Sequence, residues 1–399
     1  MNVRRTIPPT AAPVSARDLV CGIPGLFSGT DPGKLENGIR GYFGSDFVFL
    51  VSSGKAALFL ILKGLSSLRD RKKVLIPAYT CYSVPSAIVK SGLEIVLCDM
   101  DPDTLDFDYP QLERLADDKA LCIVSTHLFG IPADVDRTRR ICEEKGIFLV
   151  EDAAQAMGVE LDGRKVGTTG DVGFFSLGRG KNITCGSGGI IVTRSEEIAG
   201  ALRVPYNPMK TESLQESVKT LLELSLMGIF LKPYLYWLPD GLPFLKIGET
   251  HFDSNFPTSK MSRVKYGVLN RWKQKIDSFN KTRIDVSEKY KNNLNINRGI
   301  SIYSRVIPYL RFPVYLKNEE VKKKICNEYR HIGISSMYPG SIDTIDEISE
   351  IVKDYICPAS GMIARKLVTL PTHGFVDGNL GKKICSVIND AMDDKYRNS

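Results

Sequence analysis

A lysine in a glycine-rich loop is the residue best placed for covalent chemistry. Lys181 lies in the run FFSLGRGKNITCGSGG (174–189), between two segments apolar enough to be buried strands. Arg179 is close by, and like-charge repulsion from it would favour the neutral amine, the form that attacks an aldehyde. The alternative is an exposed surface lysine. The setting favours Schiff-base chemistry at Lys181.

A second chemical group is the carboxylate that ends an apolar run. Asp152 closes IFLVED (147–152), where a carboxylate needs a cationic partner or strong hydrogen bonds. The protonated ring nitrogen of pyridoxal phosphate would be such a partner, and the carboxylate would keep that ring an electron sink. Gln155, three residues on, could bond the ring hydroxyl. A helix N-cap is the alternative interpretation of Asp152.

A third feature is the glycine turn of SSGKAAL (52–58), between a predicted strand and a predicted helix. Backbone N–H groups and the positive end of a helix can hold a phosphate in such a turn. It is not an ATP-binding Walker loop, because the glycine five positions before Gly54 is missing and Ala56 replaces the serine or threonine.

The elements that must position these groups alternate along the first half of the chain. Short apolar runs and amphipathic segments follow one another, with helical patterns beginning near Gly54, Ser83, Tyr109 and Asp134. Doubly apolar strands of this kind predict an α/β fold with a mostly parallel sheet covered on both faces, whose ligand binds at the carboxyl ends of the strands. The predicted strands are 47–51, 74–77, 94–99, 121–126, 147–152, 172–177 and 188–193.

The second half predicts a smaller α+β domain. A long helical stretch covers 259–296, and the later elements are a strand at 308–316, a helix near 319–331, a strand at 366–371 and a final helix from about 376. The predicted organisation is an N-terminal extension (1–34), a large cofactor-binding domain (35–258) and a small C-terminal domain (259–399).

Residues 221–247 form an apolar insertion, LLELSLMGIFLKPYLYWLPDGLPFLKI, that is aromatic at its centre. Glu223, Lys232 and Pro233 interrupt it before ~20 apolar residues accumulate, so it is too broken to span a bilayer. A core or dimer-interface hairpin is the preferred interpretation. The alternatives are a lid or a surface that meets a lipid-linked substrate.

Charge and cysteine usage exclude several protein classes. The formal charge of +7 comes from residues 271–330, where fifteen Lys/Arg face six Asp/Glu in interleaved runs typical of a solvated helix face rather than a nucleic-acid site. Nine scattered cysteines without a C-x-x-C pair fit a reducing cytoplasm, and no metal site is expected. Pro8 and Pro9 follow Arg4 and Arg5 where a signal peptide would be apolar, which argues against secretion.

The order of these segments resembles the DegT/StrS family of aminotransferases, which includes many nucleotide-sugar aminotransferases. The likeness is strong over residues 35–200 and looser over 255–395. Its most specific part is EDAAQA with a lysine twenty-nine residues after its aspartate. The other matching runs are SSGKAAL, IPAYTCYSVPSAIVKSG, IVLCDMDPDTL, STHLFGIPADVD, GVELDGRKVGTTGDVGFFS, KMSRVKYGVL (260–269) and VTLPTH (368–373).

The resemblance implies the aspartate-aminotransferase fold, assembled as a homodimer with shared active sites. It makes Lys181 the Schiff-base lysine and proton shuttle, Asp152 the partner of the ring nitrogen and Gln155 a contact of the ring hydroxyl. Ser176 and the amides of Gly54 and Lys55 would hold the phosphate. His127 falls on the H-x-x-G position of the family, where a structural role and a cofactor contact both remain open.

The chain departs from the family at four places. The aromatic residue over the cofactor ring is replaced by Cys81, with Tyr82 beside it, so stacking must be weaker or come from a neighbour. Ser187 stands where the family often has an acid. The Asn–aromatic–Arg motif given to the partner's phosphate is Thr258, Ser259 and Lys260 here, and the common His–Tyr–Pro is Met337, Tyr338 and Pro339.

These observations predict a ping-pong aminotransferase that takes the amino group from an amino acid, by family habit glutamate, and gives it to a keto substrate such as a nucleotide-linked keto-sugar. The retained Lys181 argues against the dehydratases of the family, which carry histidine there. Two alternatives remain: another lysine-dependent reaction such as a lyase on a non-sugar substrate, and a regulatory protein that keeps the fold without turnover.

Overall fold

A seven-stranded, mostly parallel sheet forms the centre of the computed structural model, which describes residues 5–27, 30–242, 250–297 and 300–393. Its strands are β1 (Phe47–Val51), β2 (Lys73–Pro77), β3 (Glu94–Cys98), β6 (Ala120–Thr126), β7 (Phe148–Asp152), β10 (Val172–Ser176) and β11 (Gly189–Thr193). Their order is β1-β11-β10-β7-β6-β2-β3, and β11 runs antiparallel to both of its neighbours. The predicted α/β sheet and its strands are confirmed.

Two-residue strands form small ribbons beside the main sheet. They are β4 (Met100–Asp101) with β5 (Asp106–Phe107), and β8 (Glu160–Leu161) with β9 (Arg164–Lys165). The helices of this half are α1 (Ala16–Gly22), α2 (Pro32–Phe43), α3 (Gly54–Leu68), α4 (Ser83–Ser91), α5 (Tyr109–Leu115), α6 (Val135–Lys145) and α7 (Glu196–Tyr206).

Capping residues fix where several of these helices begin and end. The side chains of Ser53, Asp108 and Asp134 accept hydrogen bonds from backbone amides in the first turns of α3, α5 and α6. Gly92 and Gly146 end α4 and α6 in the left-handed conformation. Helices pack on both faces of the sheet, so all seven residues of β6 are buried.

The second half supplies the smaller α+β part. Its two strands, β12 (Arg311–Tyr315) and β13 (Leu367–Pro371), pair antiparallel. The helices that follow α7 in the chain are α8 (Leu214–Phe230), α9 (Trp237–Asp240), α10 (Arg263–Val268), α11 (Trp272–Asn293), α12 (Glu319–Glu328), α13 (Ser349–Val352), α14 (Pro358–Lys366) and α15 (Gly378–Met392). The predicted helix over 259–296 is wrong in one respect, because it is divided into α10 and α11.

Residues 6–14 form a mostly buried arm. Ile7 is buried, and its N–H donates to the carbonyl of His331 (2.8 Å). The Pro8 carbonyl accepts a hydrogen bond from His373 Nε2 (2.8 Å). Burial lowers the pKa of His373 to about 4, so this histidine is neutral at physiological pH and serves to hold the arm.

The apolar insertion contains the end of α8 and all of α9, joined by turns over 231–236, and residues 243–247 lie outside the described residues. Leu224 and Tyr236 are buried, but Leu222 and Leu226 of α8 are 61% and 54% exposed. The exposed leucines do not support burial in the core of the single chain, and the dimer-interface part of the interpretation stays a prediction. Among the described residues, no helix combines the length and apolarity that a membrane span requires.

Candidate active site

Three neighbouring parallel strands bring polar side chains to one edge of the sheet. Asp152 ends β7, and the register pairs it with Thr126 at the end of β6 and with Phe174 near the end of β10. His127 directly follows β6, and Ser176 ends β10. Because the carboxyl ends of parallel strands meet at the same edge, these residues share one site.

Asp152 is a buried carboxylate whose charge is only partly compensated. It is 5% exposed, and its Oδ1 accepts one hydrogen bond, from the N–H of Ala154 (3.0 Å). Burial raises the pKa of Asp152, although the Ala154 amide and the charge on Lys181 oppose that rise. The geometry contains the cap-like bond of the alternative interpretation, and the charge of Lys181 also acts on this carboxylate.

Gln155 is held between two parts of the chain. Its Oε1 accepts from the N–H of Phe129 (3.1 Å), and its Nε2 donates to the hydroxyl of Tyr338 (2.8 Å). Phe129 has a positive φ of 58°, so this contact fixes a backbone conformation that L-residues rarely adopt. An amide nitrogen has two hydrogens, and the second is left for a ligand.

His127 has both ring nitrogens occupied. Nδ1 accepts from the N–H of Ala133 (3.1 Å), so Nε2 carries the hydrogen and donates to Glu151 (3.0 Å). Glu151 also accepts from the amides of Gly167, Thr169 and Gly170. The geometry favours the structural role for His127, which braces Glu151.

The start of α3 and Ser176 form a narrow cradle. A Cβ at Gly54 would lie 3.0 Å from both Cβ and Oγ of Ser176. The amides of Ala56 and Ala57 are bonded to Ser53, whereas the structure gives the amides of Gly54 and Lys55 no acceptor among the described residues. A glycine therefore leaves room for an anion between free amides and a hydroxyl.

The loop that carries Lys181 is tied to the loop after Asp152 by buried polar contacts. Arg283 donates to the Asn182 carbonyl (3.0 Å), and Asn182 Oδ1 accepts from the amide of Met157 (3.3 Å). Asn280 donates to the Met157 carbonyl (3.1 Å) and accepts from Arg283 (2.9 Å). Lys181, which is half-buried, is thus held at a fixed place relative to Asp152.

Arg179 has a carboxylate partner that the sequence did not indicate. Its guanidinium is 61% exposed and forms an ion pair with Glu223 of α8 (2.8 Å). The neighbouring carboxylate offsets the positive charge that was expected to act on Lys181. The sequence did not predict this ion pair, because Glu223 belongs to α8, a helix remote in sequence from the lysine loop.

Two further residues that were expected at the cofactor, Lys55 and Cys81, have other contacts through their side chains. The Lys55 ammonium lies 3.3 Å from Asp253 and over the ring of Phe256, so only its backbone amide faces the cradle. Cys81 Sγ contacts the hydroxyl of Ser83. The Tyr82 hydroxyl lies near Gly340, which directs that ring away from the position beside Cys81.

Two of the positions that depart from the family pattern, Ser187 and Lys260, have neighbouring residues that the sequence did not indicate. Ser187 accepts a hydrogen bond from Lys265 (2.8 Å), and the same ammonium forms a buried ion pair with Glu212 (2.5 Å). The chain therefore has a carboxylate near Ser187 after all, from another segment. Ser259 and Ser52 exchange hydrogen bonds (3.2 and 2.9 Å), so Lys260 lies close to the strand that leads to Gly54.

Sequence reasoning missed Glu151, Arg283 and Arg311. Glu151 precedes Asp152 in an apolar strand and is fully buried, a signal that could have been noticed. Arg283 lies within an otherwise basic, solvent-facing helix pattern, and its burial depends on contacts with a distant loop. Arg311 begins β12 and was not separated from the surrounding basic residues.

The residues present fit pyridoxal phosphate. Gly54 and Ser176 lie side by side at a helix N-terminus, where amides without a partner and a hydroxyl could bind a phosphate. The buried Asp152 carboxylate, with a raised pKa, would be stabilised by a cationic ring nitrogen. The half-buried Lys181 lies on the same edge of the sheet, where its amine can meet the aldehyde of the cofactor.

Comparisons with known proteins identify the family of the chain. The model of the DegT/DnrJ/EryC1/StrS aminotransferase family matches residues 25–389. GDP-perosamine synthase of Vibrio cholerae is 33% identical over 148 residues, which make up 37% of this chain and 40% of that protein. L-glutamine:2-deoxy-scyllo-inosose aminotransferase of Streptomyces fradiae is 32% identical over 179 residues, 44% of this chain and 42% of that protein.

The chain spans less than half the length of these curated relatives in the matched regions. A solved structure covers much more of it. Helicobacter pylori PseC, an aminotransferase involved in the biosynthesis of pseudoaminic acid, matches 97% of this chain and 99% of its own with a TM-score of 0.78 and 15% identity. At that identity the likeness shows the fold.

Proposed function

Because the chain belongs to the DegT/DnrJ/EryC1/StrS aminotransferase family, we propose that it uses pyridoxal phosphate on Lys181 to move an amino group from an amino acid to a keto-sugar. One observation carries the proposal: Lys181, the buried Asp152 and the cradle of Gly54 and Ser176 converge at a single sheet edge.

Each residue has a physical role in this proposal. Bound pyridoxal phosphate supplies an electron sink that stabilises negative charge at the substrate carbon. Asp152 holds a proton at the ring nitrogen, and Gln155 donates its free N–H to the ring hydroxyl. Ser176 and the first amides of α3 bind the phosphate. The Lys181 amine would move a proton between the α-carbon of the amino donor and the aldehyde carbon of the cofactor, and would do the same in the second half-reaction.

We assign the acceptor to the class of nucleotide-linked keto-sugars and the donor to amino acids such as glutamate. The named activities of the Vibrio and Streptomyces relatives support a sugar-like acceptor. We further propose a homodimer with shared sites, working in a reducing cytoplasm. All nine cysteines are free, and most are buried.

The experiment that tests amino transfer is the donor half-reaction. Purified protein loaded with pyridoxal phosphate is mixed with L-glutamate, and the visible absorbance of the cofactor is followed together with release of 2-oxoglutarate. We expect stoichiometric release with loss of the visible band, and a panel of nucleotide keto-sugars should restore the band. A protein that binds the cofactor but releases no keto acid from any amino acid would be an inert member of the family. Release of a non-keto product would identify a lyase.

A further inference from the structure

Arg311 is a sheltered cation at the start of β12 without a carboxylate partner among the described residues. It is half-buried, and its Nη1 donates to the hydroxyl of Ser335 (3.2 Å). Its Nε is buried and has no hydrogen-bond partner. Other arginines of this region are paired; Arg330, for example, lies 2.9 Å from Asp240.

Three tyrosines from separate parts of the chain, Tyr338, Tyr236 and Tyr79, lie near enough to Arg311 to influence its pKa electrostatically. The rings of Tyr79 and Tyr338 meet edge to face with centroids 5.3 Å apart. The Tyr79 hydroxyl is also buried without a hydrogen-bond partner. The cluster therefore contains unsatisfied donors next to an unpaired positive charge.

The cluster is one side chain away from the cofactor site. The Tyr338 hydroxyl accepts from Gln155 Nε2 (2.8 Å), and Gln155 lies three residues after Asp152. Asp152 and Cys81 are among the groups whose charges act on Tyr338. Ser335 accepts hydrogen bonds from both Arg311 and the amide of Met337, the neighbour of Tyr338, so Arg311 lies beside the segment that bonds Gln155.

An unpaired cation in such a setting is costly unless an anion joins it. Burial lowers the pKa of Arg311 to about 10, yet the guanidinium remains charged at neutral pH. The planar guanidinium offers parallel N–H groups that match a carboxylate. A sheltered charge without a partner lowers the free energy of unfolding of the protein, and a bound anion would restore it.

We propose that Arg311, framed by Tyr79, Tyr236 and Tyr338, binds the carboxylate of the amino donor. This inference rests on the proposed amino transfer. The donor carries its carboxylate on the same carbon that loses its proton to Lys181, so the receptor for that carboxylate must lie beside the ring. The phosphates of a nucleotide-linked sugar are separated from the reacting carbon by the sugar itself, which places their receptor farther out.

The test compares Arg311→Gln and Arg311→Lys with the control Arg365→Gln, a substitution of an exposed arginine on α14. Binding of maleate, a dicarboxylate that does not react, is measured by calorimetry on the loaded enzyme. The KM of L-glutamate in the half-reaction is measured beside it. We expect Arg311→Gln to weaken both by about 10- to 100-fold, as loss of a charge-assisted hydrogen bond predicts. Arg311→Lys should recover part of the loss, and the control should match the wild type.

Unchanged maleate binding in Arg311→Gln would overturn the inference, provided that the variant retains its bound cofactor absorbance. Weakened binding of uridine diphosphate with normal maleate binding would also overturn it, because the arginine would then serve a phosphate. Maleate binding requires no turnover. A wild type that binds maleate through Arg311 but never converts an amino acid would therefore contradict the proposed function and support the carboxylate site.

Discussion

Two adjacent carboxylates at the end of β7 have pKa values shifted in opposite directions. Their side chains alternate across the strand, as in any β-strand. Burial would raise the pKa of Glu151, but the hydrogen bond from His127 and those from the amides of Gly170 and Gly167 bring it below its usual range. Burial raises the pKa of Asp152, because its remaining contacts are too weak to compensate. The hydrogen bonds to Glu151 compensate for the burial of its charge, whereas the contacts of Asp152 do not.

The stability consequence of Asp152 follows from the direction of its shift. A carboxyl whose folded pKa is raised favours the folded state only when protonated. Its ionisation therefore destabilises the fold as pH rises from the unfolded value of 3.8 through the folded value. At neutral pH the cofactor-free protein bears this cost, and a protonated ring nitrogen would remove it.

We accordingly expect Asp152→Asn to stabilise the cofactor-free protein at pH 7.5 and to impair the loaded enzyme. The variant keeps the Ala154 hydrogen bond but has no buried charge. Urea unfolding should show a gain that shrinks as pH is lowered toward 4. Activity should fall at least 10-fold, since a charge-assisted bond of ~1.5–3 kcal/mol to the ring nitrogen is lost.

Asp136→Asn is the matched control, because Asp136 is an exposed carboxylate whose pKa is lowered by its hydrogen bond with Arg164. It should show no gain at neutral pH. An Asp152→Asn protein that is less stable than wild type and turns over normally would return Asp152 to the role of a helix cap.

Among the elements, α8 combines two functions that its sequence does not separate. On one side Leu224 packs beside Gly186, and Glu223 pairs with Arg179, so the helix covers the loop that holds Lys181. On the other side it exposes Leu214, Val218, Leu222, Leu226 and Ile229. Neighbouring α1 adds Val20 at 62% exposure. An apolar surface of this extent marks an interaction site.

We expect a second copy of the chain to cover this surface, since the same segment leads toward Lys260, whose family counterpart serves the partner. The double substitution Leu222→Ser and Leu226→Ser should weaken dimerisation, on the order of 10-fold per leucine at ~1.5 kcal/mol each. Sedimentation velocity over a concentration series measures the change. Ile356→Ser is the control, because Ile356 is 80% exposed and lies outside this surface.

An unchanged dimer would contradict the expectation. If the double variant also failed to sediment with liposomes that the wild type binds, the membrane-surface interpretation would replace it. Sedimentation velocity and sedimentation with liposomes together distinguish the dimer interpretation from the membrane-surface interpretation. Neither experiment requires knowledge of the substrate.

At the scale of the whole molecule, the sequence was most informative where local pattern and function coincide. Apolar runs predicted the strands, and the polar end of one run predicted Asp152 at the site, whereas Ser176 was predicted from the resemblance to the family. The pairing of Arg179 with Glu223 and the placement of Arg311 beside the segment of Tyr338 could not be predicted. They arise from packing between segments far apart in the chain, which leaves no periodic pattern.

The division of α10 from α11 and the exposure of α8 have the same origin. Helical periodicity continues across residues 259–296, but Leu269 ends α10 and packs into the core, so the chain changes direction before Trp272. In α8 an amphipathic pattern predicts burial without identifying the surface that buries it.

Borohydride reduction tests most directly the claim that Lys181 carries pyridoxal phosphate. The purified wild type should be yellow, and reduction followed by peptide mass analysis should find the cofactor fixed to Lys181. Lys181→Ala should give no covalent adduct, whereas Lys353→Ala, which removes an exposed lysine paired with Glu350, should behave as the wild type. An adduct on another lysine in Lys181→Ala, or a loaded wild type that cannot be trapped, would contradict the account.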